Sequence, residues 1–128
     1  MPHITIEHSA NVAEHHNIDA LVAAVHSAAL ENGLPSLPSL RTRAVSRQHY
    51  RISTGDPGFG FVAITCRIAP GRDAEAKQLF LKQVLDAAEA QLNSEGCPLH
   101  IAWSIEITET NPEFRINRNR VRDAMGGI

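Results

Sequence analysis

Apolar and polar residues alternate along four stretches of this chain, and two stretches between them follow a helical period. Residues 2–8, Pro-His-Ile-Thr-Ile-Glu-His, alternate and predict a strand. From Asn17 the period changes: Ile18, Leu21, Val22, Val25, Ala28 and Ala29 recur at three- and four-residue steps, as on the buried stripe of an amphipathic helix. Asn17 is a candidate N-cap, and Gly33 followed by Pro35 is a candidate stop. Residues 34–38 predict a connector and 39–46 a second strand. Residues 47–60 predict irregular chain or a short hairpin, with Asp56-Pro57-Gly58 as a turn. The clearest strand runs over 61–68, where Val62, Ile64, Cys66 and Ile68 share one face. Asp73 predicts the cap of a long helix over 74–92, with Ala76, Phe80, Val84, Ala87 and Ala88 along one stripe; Gly96 and Pro98 end it. A fourth strand follows, in which Ile101, Trp103, Ile105 and Ile107 alternate with Ala102, Ser104, Glu106 and Thr108.

The order is β-α-β, a spacer, then β-α-β. Each unit requires a crossover that leaves its two strands parallel. The expected fold is α/β, a β-α-β unit repeated twice, giving a four-stranded sheet with two helices on one face. A single domain covers 1–128. The other sheet face carries Thr5, Glu7, Ala63, Thr65, Arg67, Ser104 and Glu106, a mixed surface that is either wet or packed against a polar partner surface; a partner is favoured because parallel sheets usually have both faces covered.

At 128 residues the chain has the size of one domain, and 43% hydrophobic with 20% charged residues excludes a disordered polymer. Twelve basic residues against fourteen acidic ones give a net charge of −2, so composition exerts no global pull toward nucleic acid or anionic membrane. No apolar run reaches the ~20 residues of a membrane span, and Met1-Pro2-His3-Ile4 carries no secretory signal. A cytoplasmic location is the expectation. Cys66 and Cys97 lack C-x-x-C spacing and read as structural thiols. His15-His16 beside Glu14 lacks a third ligand at a recognised spacing and predicts a solvated loop, not a metal site. The basic run 115–122 has no aromatic platform for stacking bases and predicts pairing with acidic groups of this chain or a neighbour.

Two features carry candidate chemistry. Ten of the twelve basic residues are arginine, whose rigid fork suits carboxylates. Arg41 and Arg43 share a strand face by parity, and Arg72 follows Gly71 where helix N–H groups also favour anions. Each alone reads as a surface salt bridge; together they suit a substrate with more than one carboxylate. The second feature is Pro2. Removal of Met1 would leave a secondary amine, a proton carrier whose pKa falls with burial and nearby cations. No G-x-S-x-G, Walker, G-x-G-x-x-G or H-E-x-x-H motif is present.

The segments Pro2-His3-Ile4, Leu40-Arg41-Thr42-Arg43, Phe61 through Ile68, Gly71-Arg72-Asp73-Ala74-Glu75 and Ser104-Ile105-Glu106-Ile107, with Asn119 near the end, together resemble the 5-carboxymethyl-2-hydroxymuconate isomerases of the tautomerase superfamily. The resemblance spans nearly the whole chain. It implies an N-terminal proline, here Pro2, that shuttles a proton between an enol oxygen and a carbon. It implies Arg41 and Arg72 as substrate arginines, with Arg43 in a secondary place. It further implies a small-molecule carboxylate substrate from aromatic acid catabolism, a homotrimer with a central barrel of sheets, and neither metal nor organic cofactor. Two other readings stay open here: a superfamily member acting on a different 2-oxo acid, and a non-catalytic trimeric binding protein.

Overall fold

The computed structural model describes residues 2–127. Strand β1 (His3–Ser9) is followed by a single turn, α1 (Val12–His15), and by helix α2 (Ile18–Asn32). A 3-10 turn over Leu37–Ser39 leads into β2 (Arg41–Arg47). Strand β3 (Phe59–Ile68), helix α3 (Ala74–Ser94) and β4 (His100–Glu109) form the second half. A 3-10 turn (Pro112–Phe114) and a short helix, α4 (Arg120–Ala124), complete the order. The four expected strands and both long helices are present. The two short helices are additions, made in stretches too brief to show a period.

The sheet order is β2-β1-β3-β4. Strands β1 and β2 run parallel, as do β3 and β4, while the two halves meet antiparallel through β1 and β3. That central register sets His3 opposite Arg67, Thr5 opposite Thr65 and Ile6 opposite Ile64.

The alternation decides which face is dry. Ile4, Ile6, Val62, Ile64, Cys66 and Ile68 are buried under the helices. Leu21, Val25 and Ala29 descend from α2, and Phe80, Val84, Ala88 and Leu92 from α3, both series at four-residue steps. Such a row stays on one side of a helix, so each helix lays a single ridge on the sheet. Burial also pushes the Cys66 thiol up to about 12, which leaves it protonated and inert.

The helix ends follow the sequence signals. Asn17 Oδ1 accepts from the Ala20 N–H at 3.0 Å, and Asp73 Oδ1 from the Ala76 N–H at 2.8 Å. Gly33 ends α2 in the left-handed region at φ 85°, where a side chain would be strained. Gly60 serves by closeness: a Cβ there would stand 3.1 Å from Ile101 Cδ1 and 3.3 Å from Asn11 Oδ1. The second contact matters because Asn11 bridges the halves. Its Nδ2 donates to the Phe59 carbonyl at 2.8 Å, and its Oδ1 accepts from the Ser9 hydroxyl at 2.7 Å.

One expectation is corrected. His15 is exposed, but His16 is buried and does not belong to a solvated loop. Its Nδ1 lies 3.0 Å from Glu95 Oε1, and Glu95 Oε2 accepts the Asn17 N–H at 3.2 Å. Glu95 caps α3, so a partner 79 residues distant draws His16 inward and ties the start of α2 to the end of α3. Among the described residues no group of three or more His, Cys, Asp or Glu is placed to hold a metal ion.

Candidate active site

The register collects cations at one end of the sheet. Pairing of His3 with Arg41 on one side and with Arg67 on the other places an arginine to each side of the residue after Pro2. Pro2 itself is buried, and its carbonyl accepts the Arg41 N–H at 3.2 Å, extending the β1–β2 ladder by one rung. All three neighbours, His3, Arg41 and Arg67, lie on the face the helices leave open.

The chain after β4 turns this corner into a cavity. Residues 110–118 pass over the end of the sheet and enclose about 590 Å³ together with His3, Arg41 and Arg67. They contribute Arg115, Asn117 and Arg118 among others. Four arginines and no carboxylate line the space among the described residues, an arrangement that attracts anions. The segment is anchored just past its end. Asn119 Nδ2 donates to the Pro38 carbonyl at 2.9 Å, while its Oδ1 caps α4 by accepting the Arg122 N–H at 3.0 Å.

The expected arginines do not converge on one point. Arg41 lines this cavity. Arg72 lines a second, of about 500 Å³, beside Arg122, and donates to the Leu34 carbonyl at 2.9 Å. Arg115 and Asn117 line both, so the two spaces share a wall. Arg43 lines neither; its guanidinium reaches back to His3 Nδ1 at 2.9 Å.

His3 is held well below the usual imidazole range, at about 4. Desolvation is the first cause, followed by the charges of Arg43, Arg41 and Arg67. It is therefore a neutral ring at pH 7. Sequence reasoning missed Arg67, Arg115 and Arg118 as site residues. Parity placed Arg67 on the open face, but only the register of β3 against β1 brings it beside His3.

The match to known proteins is broad. The family model for 5-carboxymethyl-2-hydroxymuconate isomerase fits residues 2–125. The chain is similar to a 5-carboxymethyl-2-hydroxymuconate Delta-isomerase of Escherichia coli, with 25% identity over 121 residues, which is 94% of this chain and 96% of that one. Its fold is similar to the crystal structure of a 5-carboxymethyl-2-hydroxymuconate delta-isomerase, at TM-score 0.87 and 18% identity, covering 98% of this chain and 93% of the other. It is also similar to a fused 4-OT wild-type symmetric trimer, at TM-score 0.64 and 19% identity, covering 88% and 91% of the two chains. With a match that runs from Pro2 into α4 and includes every strand, the chain belongs to the 5-carboxymethyl-2-hydroxymuconate isomerase family and is an isomerase with the tautomerase fold.

Proposed function

We propose that this isomerase moves a proton within an unsaturated 2-hydroxy polycarboxylate, with 5-carboxymethyl-2-hydroxymuconate as its substrate and Pro2 as the base. The observation that carries this reading is the cavity lined by His3, the residue after Pro2, together with Arg41, Arg67, Arg115 and Arg118. Guanidinium groups bind carboxylates through paired charged hydrogen bonds and hold the conjugated chain in place. Arg72, across the shared wall, is the candidate for a further carboxylate of the same substrate.

The step balances without a redox partner. The amine of Pro2, freed from its amide bond once Met1 is removed, takes the proton of the enol hydroxyl. The oxygen's electron pair forms the C=O bond, the double bond moves along the chain, and a carbon further on takes the proton back from the ammonium. The neighbouring arginines favour the uncharged amine and stabilise the negative charge that develops on the oxygen.

The same reading includes a homotrimer. Both edge strands are unpaired in the single chain. Phe114 and Ile116 are 80% and 84% exposed beside the cavity. A second and third copy would cover these surfaces and the mixed face of the sheet. No described helix is long and apolar enough to cross a membrane.

Intact mass and turnover of 2-hydroxymuconate, measured on one sample, test the base. A chain that begins at Pro2 is expected to be active and to lose at least about 10²-fold when its terminal amine is acetylated. Full turnover by a chain that retains Met1 would exclude Pro2 and leave the role to His3 or Glu7.

A further inference from the structure

Arg43 has the right charge and the right sheet face for a substrate arginine, yet it does not line the cavity. Its place follows from the register. His3 pairs with Arg41 and Thr5 with Arg43, so Arg43 is the diagonal neighbour of His3 on the open face. From there its Nη1 meets His3 Nδ1 at 2.9 Å. A guanidinium only donates, so Nδ1 must accept and carries no proton. The proton of the neutral ring is then on Nε2. His3 does line the cavity, between Arg41 and Arg67.

Resting on the reading of this cavity as the carboxylate site, we propose that His3 is a substrate-binding residue that donates its Nε2–H to an oxygen of the bound anion, and that Arg43 is a positioning residue that fixes this tautomer and never touches the substrate. The pairing divides labour among like charges. Arg41 and Arg67 supply charge to the ligand, whereas Arg43 turns a ring that could present either a donor or an acceptor into one that presents a donor. The ring's low affinity for protons, caused by burial and by all three arginines, keeps that donor in place through the physiological range. A neutral donor also adds direction without adding a further cation to a cavity that already holds four arginines.

The test uses cis,cis-muconate, a dicarboxylate that lacks the 2-hydroxyl, and measures its binding by calorimetry on the purified full-length protein. His3→Gln places an amide N–H near the position of Nε2 and is expected to bind within about threefold of the wild type. His3→Asn places it near Nδ1 instead and is expected to bind about tenfold more weakly, as is His3→Leu. Arg43→Ala should weaken binding in the wild-type background and have no effect in His3→Leu, because Arg43 acts only through the ring. Nitrogen-15 spectra of the His3 ring at pH 7 should show the Nε2–H tautomer in the wild type and a mixture in Arg43→Ala.

Three results would overturn the proposal, each at a different point. Equal muconate affinity in wild type and His3→Leu removes His3 from the site while leaving the cavity intact. Equal loss from Arg43→Ala in both backgrounds makes Arg43 a direct ligand of the anion. No binding of muconate to the wild type, or no loss in Arg41→Ala, takes down the carboxylate reading of the cavity and this proposal with it.

Discussion

The two ends of the sheet share one design and differ in chemistry. At one end β1 starts beside β2, and His3 faces Arg41; at the other β3 starts beside β4, and Phe59 faces His100. These are the same positions in the two β-α-β halves. The first end gathers Arg41, Arg43 and Arg67 around a neutral imidazole. The second gathers rings: Phe59 meets His100 edge-on with centroids 6.3 Å apart, and Tyr50 meets Phe61 at 6.2 Å. Repetition of the fold therefore does not repeat the site. A duplicated unit supplies two equivalent corners, and the side chains placed there make one of them a cluster of cations and the other a cluster of aromatic rings.

The largest expected effect separates the two corners. Arg41→Ala should lower kcat/KM by an amount corresponding to about 1.5–3 kcal/mol, the range for hydrogen bonds to charged groups, with little change in Tm. Arg72→Ala should lose as much on a substrate whose carboxylates reach both cavities, and less on a shorter one. Unchanged kinetics in both variants would reduce the arginine corner to surface charge.

An intermediate effect concerns acid. His3 binds its proton at about 4 in the folded protein and near 6.5 in the unfolded chain. Between these values the unfolded chain holds more protons, so the stability that the neutral ring contributes is complete above about pH 6.5 and is lost as the pH falls toward 4. Denaturant midpoints at pH 7 and pH 4.5 should therefore differ less in His3→Gln than in the wild type. Equal differences would mean that burial and the three arginines together do not disfavour the protonated ring of His3.

The smallest effect lies at the aromatic corner. Phe59→Leu removes one ring of an edge-on pair and should cost about 1 kcal/mol of stability. Muconate binding should stay unchanged. A loss of binding there would show that the two corners are not functionally distinct.

How far each corner is readable from the sequence follows from what holds it. The strands Phe59–Ile68, apart from its first two residues, and His100–Glu109 announce themselves because the inner side of each carries alternating apolar residues, buried in the first and half-buried in the second. The caps at Asn17 and Asp73 are local bonds between residues three apart, so they too are visible in the chain. Arg41 and Arg43 can be placed on one face by parity alone. Their different roles cannot, because these depend on which neighbour across the sheet each one meets. Residues 110–118 have no period to detect. They reach the cavity because Asn119 is bonded to Pro38, 81 positions earlier in the chain. His16 is hidden for the same reason, since its partner Glu95 is equally remote.

The wall of arginines has a kinetic consequence that the net charge conceals. The protein as a whole is slightly negative, so from far away it offers a dianion no attraction. Close to the cavity the field reverses, because Arg41, Arg67, Arg115 and Arg118 act together over a short range. Salt shortens the reach of that field to ~10 Å at 0.1 M ionic strength. If the cavity takes the proposed substrate, its capture is expected to be a local event at the mouth of the cavity, accelerated in dilute buffer and slowed as ionic strength rises, even though protein and ligand carry charge of the same sign.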